Sequence, residues 1–309
     1  MTTDVKLKLG TRASPLAMVQ AEEVRDRMCA VHGWDKAQVE LVPVTASGDK
    51  MLDRPLAEIG GKALWTKELD AWLAEGAIDA SVHSLKDVET VRPDIFTLGA
   101  ILERADKRDR LIGADSIATL PPGAKVGTSA PRRAAQLLNQ RPDCEVVMFR
   151  GNVATRLAKL AAGEADAIFL AAAGLERLGE DGVGHPLDVD SWLPAPSQGA
   201  IAVECRSDDD KTQSFLAALD HMPSRAEVLA ERALLLALGG TCHSSIAVNC
   251  DYAGGELAMR AVLFSPDGAE RVEGEARFEA GDETAPALLA QDLLARSSAA
   301  IRNLFEGKA

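Results

Sequence analysis

Two adjacent arginines in the segment GTSAPRRAAQ, residues 127–136, stand where positive charge is unfavourable. Arg132 and Arg133 follow Pro131, which suits the first position of a helix, and Ser129 is the expected N-cap residue. The N-terminus of a helix already carries partial positive charge, so two guanidinium groups there require an anion. The spacing therefore predicts an anion-binding site in this segment.

Further arginines extend this basic segment. Residues 125–159 contain seven basic residues against two acidic ones, a local charge of +5 within a chain of net charge −13. Arg150 and Arg177 follow expected strands, and Arg156 falls in the first turn of an expected helix. Strand carboxyl ends and helix N-termini share one edge of a parallel sheet, so these arginines should converge. One arginine alone would indicate solvated surface, but the row predicts a ligand with several carboxylate or phosphate groups.

Two weaker signals of the same kind occur nearer the N-terminus. Arg12 precedes a helix that Ser14 and Pro15 should open, and Lys62 follows two flexible glycines. Both side chains suit contacts with anionic groups. Ser-Pro is equally an ordinary helix start, so neither signal predicts a site by itself.

A carboxylate follows another expected strand, in DASVHSLKDVET. Asp87 lies just beyond the strand end, beside Lys86 and near His83. A carboxylate at such an edge can stabilise a developing cation or, when its pKa is raised, donate a proton. The pattern from Ser84 to Asp87 also resembles a capping box, in which Asp87 would only close a helix start. Spacing alone does not decide between these interpretations.

Cys242 is the candidate nucleophile among five scattered cysteines, which show no C-x-x-C pair and indicate neither a disulfide framework nor a zinc site. It lies in GGTCHSS, where glycines allow the backbone to bend and expose a side chain. Cys29 falls in an expected helix and Cys205 in an apolar strand, where buried thiols are usually inert. His243 could serve as a base, but a solvated loop histidine is the better interpretation.

Alternating strands and helices must position these residues. The expected order is strand 6–9, helix 14–32, strand 39–44, polar loop 47–62, helix 64–75 and strand 80–83, then a second set with strands at 125–128, 145–149 and 167–172 and helices at 131–139 and 154–162. Such alternation predicts mostly parallel sheets covered by helices. A Pro-rich stretch then leads to an apolar strand that could return to the first sheet. One α/β lobe would thus be inserted in another, with an interlobe cleft suited to a ligand.

The pattern changes after about residue 223. A helix is followed by three strands with Gly-rich turns, which predict antiparallel pairing, and by a final helix over 284–305. This part reads as a small α+β domain. The expected domains are a first α/β lobe of residues 1–103 and 198–220, a second of 104–197, and the C-terminal domain of 221–309.

Composition narrows the function classes. The 309 residues are 47% hydrophobic and 26% charged, as in ordinary globular proteins. The net charge of −13 argues against a protein that coats nucleic acid, and the four Trp and one Tyr are not interleaved with basic residues. No signal-peptide pattern and no membrane-spanning apolar run occurs, so we expect a cytoplasmic protein without a membrane partner.

The ordered motifs GTRASPLA, GGKALWTKEL, VHSLKDV, VGTSAPRR, RGNVATRLAKL, DAIFLAAAGLERLG, SQGAIAVEC and ERA…GGTC resemble the porphobilinogen deaminase (hydroxymethylbilane synthase) family over nearly the whole chain. The resemblance implies two α/β lobes like those of periplasmic binding proteins, a C-terminal α+β domain, and a monomer. It also implies a dipyrromethane cofactor bound to Cys242 through a thioether. The implied reaction condenses four porphobilinogen molecules stepwise, with release of ammonia, into hydroxymethylbilane for tetrapyrrole and heme biosynthesis.

The resemblance also assigns residues. The elongating polypyrrole is a polycarboxylate, which explains the arginines, and Asp87 matches the family's catalytic aspartate, which stabilises the azafulvene cation left by loss of ammonia. The implied cofactor-binding residues are Cys242, Ser84, Lys86, Thr128, Ser129, Arg132, Arg133 and Arg150. The implied substrate-binding residues are Arg12, Ser14, Lys62, Arg156, Arg177 and Gln198.

The chain departs from the family pattern at three positions. Thr241 stands where the family usually has a glycine, Ser245 where it has a proline, and Ser197 where a glycine is common. The first two changes bear on the conformation of the cysteine loop and on the rate of cofactor loading. The main alternative function is a non-catalytic polyanion receptor on a binding-protein fold, which explains the arginines but not Asp87 together with Cys242.

Overall fold

The computed structural model describes residues 4–45, 66–241 and 244–305. Two compact units make up the chain. Unit 1 contains residues 1–105 and 200–225, and unit 2 contains residues 106–199 and 226–309. Lys62 and Cys242, two of the predicted site residues, lie outside the described residues.

Unit 1 is built on a five-stranded mixed sheet. Its strands, in chain order, are β1 (Leu7–Arg12), β2 (Val39–Val44), β3 (Ala80–Ser84), β4 (Phe96–Ile101) and a late strand, Ile201–Arg206. β1 pairs in parallel with β2 and β3, and the late strand runs antiparallel between β3 and β4. The predicted return of an apolar strand to the first sheet is therefore confirmed. β4 was not predicted.

Helices cover this sheet. Helix α1 (Pro15–His32) begins where the Ser14-Pro15 pair predicts, and the Ser14 hydroxyl accepts a hydrogen bond from the Ala17 N–H at 3.4 Å. It ends at Gly33, whose φ of 66° is in the left-handed region that glycine tolerates. Helix α2 (Lys67–Ala74) precedes β3, and single-turn 3₁₀ helices span Lys36–Gln38 and Leu85–Asp87.

Unit 2 contains a second five-stranded mixed sheet, in the order β7, β6, β8, β5, β9. The strands are β5 (Asp109–Ile112), β6 (Lys125–Thr128), β7 (Glu145–Met148), β8 (Ala167–Ala171) and β9 (His185–Pro186), and the helices are α3 (Pro131–Gln140), α4 (Val153–Ala161) and α5 (Ala172–Arg177). β6 runs parallel to both β7 and β8, so three adjacent parallel strands end at one edge. This is the edge to which the sequence assigned the arginines.

The late strand, β10, is followed by α6 (Asp210–Ala217) and α7 (Met222–Ala237). A three-stranded antiparallel sheet then forms from β11 (Ile246–Ala253), β12 (Glu256–Phe264) and β13 (Arg271–Glu279), as predicted. Helix α8 (Thr284–Arg296) packs on β13, and a short helix α9 (Ala299–Arg302) ends the described chain.

The single final helix predicted over 284–305 is wrong, because the helix breaks after Arg296. Ser297 is extended, with ψ of 149°, and its hydroxyl donates to the Leu293 carbonyl at 2.7 Å. Ser298 is the N-cap residue of the next turn. Serine side chains compete with the backbone for hydrogen bonds, so two in succession favour a helix boundary.

Across the described ranges, no helix is long and apolar enough to cross a membrane. In the same ranges, no cluster of three or more His, Cys, Asp or Glu side chains could hold a metal ion.

Candidate active site

A small open cavity lies in unit 1. Since β1 and β3 are parallel neighbours, Arg12 at the end of one and Ser84 at the end of the other reach the same place. The lining residues are Arg12, Ser14, Leu16, Ala17, Gln20, Thr66, Val82, His83, Ser84, Asp87 and Val88. The structure therefore brings together four of the predicted site residues: Arg12, Ser14, Ser84 and Asp87.

Asp87 ends the 3₁₀ turn that follows β3, and its side chain is half-buried at the cavity. Its carboxylate makes no hydrogen bond or ion pair with any residue in the part of the chain that the structure describes. The capping interpretation is wrong. Ser84 forms no side-chain cap, and its hydroxyl instead lies 2.8 Å from Nε2 of the buried Gln20. The 3₁₀ turn alone thus fixes the position of Asp87, and its carboxylate oxygens can accept hydrogen bonds from a ligand in the cavity.

His83 is buried behind Asp87, with Nε2 3.0 Å from the Ser81 hydroxyl. Burial, together with the positive charge of Arg92, lowers the pKa of His83 to about 4. The imidazole is therefore neutral at neutral pH. Of the two predicted cations beside the turn, Arg12 lines the cavity, and Lys86 is half-buried within the turn itself.

The predicted arginine row occupies the strand ends of unit 2. Arg150 lies two residues beyond β7, and Arg132 and Arg133 are in the first turn of α3, after β6. Arg177 is the last residue of α5, the helix that follows β8, and its Nη2 donates to the Gly199 carbonyl at 3.0 Å. Because β7 and β6 are adjacent and parallel, Arg150, Arg132 and Arg133 fall on one edge as predicted.

Arg156 and two predicted hydroxyl residues meet near the same edge. Arg156 Nη2 lies 3.3 Å from the Ser129 hydroxyl, and its Nε donates to the Gly151 carbonyl at 3.0 Å. Thr128 Oγ1 accepts the Ala130 N–H at 3.1 Å. The N-cap of α3 is Ala130, so the prediction that Ser129 caps this helix is wrong by one residue. The Ser129 hydroxyl is consequently directed to Arg156 instead of the helix.

The protein itself supplies an anion for the arginine pair. Arg132 Nη2 donates to Asp109 Oδ2 and Arg133 Nη2 to Asp109 Oδ1, both at 2.7 Å. Both arginines are 5% exposed, and Asp109 is completely buried. The sequence predicts a ligand anion at this helix start and gives no signal for Asp109. Its partners lie 23 and 24 residues further along the chain, so no local pattern reveals the contact.

Gln198, predicted to bind substrate, also belongs to this buried cluster. Its Nε2 donates to Asp109 Oδ1 at 2.9 Å and to the Lys107 carbonyl at 2.8 Å. Ser197, next to it, has a φ of 60°, and it is the one non-glycine residue with a positive φ in the described ranges. The family's frequent glycine at this position is therefore explained by the backbone that the turn requires.

Helix α7 ends in the Gly-rich turn that the sequence predicts before Cys242. Gly239 has a φ of 69°, and its N–H donates to the Leu236 carbonyl. On either side of Cys242, Thr241 and Ser244 exchange two hydrogen bonds: the Thr241 N–H donates to Ser244 Oγ, and the Ser244 N–H to the Thr241 carbonyl, both at 3.0 Å. Thr241 and Ser244 are therefore linked by two hydrogen bonds across the position of the cysteine.

The donor set suits a ligand that carries carboxylates and pyrrole N–H groups. Arg133 keeps one buried N–H, at Nε, without an acceptor among the described residues. The arginines at the strand ends can pair with carboxylates, and the open Asp87 carboxylate can accept N–H groups. The residues present therefore fit a dipyrromethane.

Two family models match the chain. "Porphobilinogen deaminase, dipyromethane cofactor binding domain" covers residues 7–214, and "Porphobilinogen deaminase, C-terminal domain" covers residues 225–296. The chain belongs to the porphobilinogen deaminase family. It is 55% identical over 310 residues to the porphobilinogen deaminase of Sphingopyxis alaskensis, covering 98% of each chain. With that of Nitrobacter winogradskyi the identity is 43%, over 99% of this chain and 98% of the relative.

Among solved structures, a periplasmic substrate-binding protein from Coxiella burnetii matches 73% of this chain and 94% of its own, with a TM-score of 0.41 and 17% identity. The sheet topology described above, rather than this likeness, places the chain in the α/β class.

Proposed function

We propose that this member of the porphobilinogen deaminase family uses Asp87 as its catalytic carboxylate in condensing four porphobilinogen molecules into hydroxymethylbilane. One observation carries this proposal. Asp87 is a half-buried carboxylate that faces an open cavity beside Arg12 and has no partner among the described residues. Its charge is therefore available to a bound ligand.

The chemistry needs such a group. Loss of ammonia from porphobilinogen leaves an electron-poor azafulvene, whose positive charge a fixed carboxylate stabilises. Pyrrole N–H groups can donate to the Asp87 oxygens, which also places the carboxylate to assist proton transfer. The neutral His83 behind it adds no competing positive charge, because burial keeps its pKa at about 4.

The basic residues hold the carboxylates of the substrate and the elongating polypyrrole. In this proposal Arg12, Ser14, Lys62, Arg156, Arg177 and Gln198 bind substrate groups. Arg150 lies two residues beyond β7, and Arg156 contacts Ser129 just before α3, so both lie at the same strand edge. Their position supports the assignment. Arginine is suited to it because its planar fork binds a carboxylate through two hydrogen bonds.

The dipyrromethane cofactor is proposed to be linked to Cys242 by a thioether. When bound, it supplies the pyrrole end to which porphobilinogen units are added. Its carboxylates and N–H groups would be held by Ser84, Lys86, Thr128, Ser129, Arg132, Arg133 and Arg150. The fit of these side chains to carboxylates and pyrrole N–H groups supports the assignment.

We further propose a cytoplasmic monomer with three domains, at 1–103 with 198–220, at 104–197 and at 221–309. The antiparallel sheet β11–β13, separate from both five-stranded sheets, supports the third domain. Size-exclusion chromatography with light scattering measures the mass in solution and tests the monomer.

The intact mass of the purified protein tests the cofactor proposal. We expect the wild-type chain to carry one dipyrromethane and Cys242→Ser to carry none, because a serine alkoxide is far harder to generate than a thiolate. Cys29→Ser is the matched control and should keep the full added mass. A Cys242→Ser chain with the full adduct contradicts the attachment. A wild-type chain without an adduct that binds polycarboxylates but releases no ammonia from porphobilinogen supports a non-catalytic receptor.

A further inference from the structure

Asp109 is the most completely bonded carboxylate near the predicted binding residues. It is the first residue of β5 and is fully buried. Oδ1 accepts from Arg133 Nη2 at 2.7 Å and Gln198 Nε2 at 2.9 Å, and Oδ2 accepts from Arg132 Nη2 at 2.7 Å and Trp192 Nε1 at 2.8 Å. A carboxylate has about four acceptor sites, so Asp109 is saturated by the protein.

Each arginine is also fixed at a second point. Arg132 Nη1 donates to the Leu193 carbonyl at 2.9 Å, and Arg133 Nη1 donates to the Phe169 carbonyl at 3.0 Å. Two hydrogen bonds to different partners define the plane of each guanidinium group. The Asp109 carboxylate therefore sets where the remaining N–H groups of both arginines lie.

The cluster keeps a positive charge. Two guanidinium groups and one carboxylate sum to +1, and the buried Nε of Arg133 has no acceptor among the described residues. Without Asp109, the two guanidinium groups would repel each other in a buried setting. With Asp109, the pair can remain side by side and still attract one more anion.

We infer that Asp109 is a positioning residue, which holds Arg132, Arg133 and Gln198 in the arrangement that binds one carboxylate of the ligand. The inference rests on the proposed function, in which these three residues bind the cofactor or the substrate. Asp109 contacts the arginines rather than the ligand, since its four acceptor sites are occupied by protein donors.

Only a substitution can remove the charge of Asp109 at ordinary pH. Burial alone would raise the pKa of Asp109, but the charges of Arg132 and Arg133 outweigh burial and hold the pKa well below its usual range. Asp109→Asn keeps the size and shape of the side chain. It removes the charge and turns an NH₂ group toward one of the arginine donors.

Three accounts of Asp109 predict different results for Asp109→Asn. If Asp109 positions the arginines, cofactor loading from porphobilinogen, followed by intact mass, should be slower by a factor on the order of ten or more in folded protein. If Asp109 only competes with the ligand for the arginines, its removal should speed loading. If it serves only the fold, loading per folded chain should equal that of wild type. Either of the last two results overturns the inference.

Asp143→Asn is the matched control. Asp143 also pairs with an arginine of unit 2, Arg141, at 2.7 Å, but it lies at an exposed site away from the strand edge. Its loss should leave loading unchanged. If the wild-type chain itself carries no dipyrromethane, the proposed function fails; if wild type and Asp109→Asn load equally, only the present inference fails.

A second variant tests whether Asp109 positions the arginines if Asp109→Asn yields no folded chain. Trp192→Phe leaves every charge in place and preserves an aromatic ring against Phe169, but it removes one donor from Asp109 Oδ2. We expect a loading rate several-fold below that of wild type in a folded protein, as judged by circular dichroism and its thermal midpoint. A normal loading rate in this variant overturns the inference.

Discussion

Asp87 and Asp109 are the same kind of side chain in two opposite settings. Asp109 is fully buried and accepts four hydrogen bonds, so its bonding cannot change without breaking the cluster. Asp87 is half-buried at a cavity and has no partner among the described residues. A carboxylate with free acceptor sites can respond to charge that develops on a ligand, whereas a saturated one can only hold its neighbours.

Single residues also differ in how much of their position and contacts can be predicted from the sequence. The place of Asp87 just beyond a strand end could be predicted, because the strand and the turn after it lie in one short motif. Its role could not, because the same spacing also fits a capping box. Asp109 could not, because its donors come from α3, from Trp192 and from Gln198, which only the fold brings together. Local pattern also could not show that Ser84 bonds Gln20, 64 residues away, instead of capping the turn.

The buried His83 should make stability depend on pH. Its pKa is lowered from 6.5 to about 4 in the folded state, so between these values the unfolded chain binds more protons than the folded chain. The free energy of unfolding should therefore rise as the pH increases from about 4 to 6.5, by about 3 kcal/mol. Urea denaturation across this range measures the slope.

His83→Asn should remove most of that slope, whatever it does to stability at neutral pH. His185 is exposed, so His185→Asn is the matched control and should keep the wild-type slope. An unchanged slope in His83→Asn contradicts the assignment of the pH dependence to this imidazole.

Among the secondary-structure elements, the three parallel strands β7, β6 and β8 decide where the basic residues meet. The sequence predicted these strands and the helices between them because each is short, regular and bounded by turn residues. It did not predict β4 or β5. Residues 107–112, KRDRLI, place charged side chains inside and before β5. A strand of this composition forms because it pairs with its neighbours β8 and β9, not because its own residues favour a strand.

Arg156 on α4 tests the function of this strand edge. Arg156→Leu should change the thermal midpoint little, because the side chain is half-buried rather than part of a buried core, and its contacts include a carbonyl and a hydroxyl at 3.0 and 3.3 Å. Elongation should stall, since a carboxylate of the growing polypyrrole loses its partner. Intact mass spectrometry after incubation with porphobilinogen should show partly extended chains.

Lys159→Leu, on the same helix, is the matched control and should extend normally. A large loss of stability with normal extension in Arg156→Leu would indicate that the arginine serves the fold instead.

The turn at Ser197, which precedes β10, has a strained backbone. Ser197 has a φ of 60°, is 2% exposed, and its hydroxyl has no hydrogen-bond partner among the described residues. Ser197→Gly should raise the free energy of unfolding by about 1 kcal/mol, because glycine accepts this backbone and removes the unsatisfied hydroxyl. The Ser197 N–H bond to Glu231, at 2.7 Å, is kept.

Ser197→Ala separates the two causes, because it removes the hydroxyl but keeps the strained backbone. It should recover only part of the gain in urea denaturation. A Ser197→Gly protein that is less stable than wild type contradicts this account of the turn.

At the scale of the whole chain, a net charge of −13 coexists with a local cluster of basic residues, seven against two acidic ones in residues 125–159. Exposed charges further apart than about 10 Å are screened in 0.1 M salt, so the local arginine cluster, not the net charge, governs binding. Composition alone excluded a nucleic-acid coat, but it could not identify the ligand. The ordered motifs identified the family, and the fold shows which of their residues share a site.

The central claim is that the charge of Asp87 drives turnover, and Asp87→Asn tests it most directly. Asparagine preserves the shape of the side chain but removes the negative charge. We expect a folded variant that carries its dipyrromethane. Its rate of hydroxymethylbilane formation should be below that of wild type by a factor on the order of 10² or more. Asp208→Asn, at an exposed position of the same unit, should turn over normally. Near-normal hydroxymethylbilane formation by loaded Asp87→Asn protein would contradict the proposed role of this carboxylate.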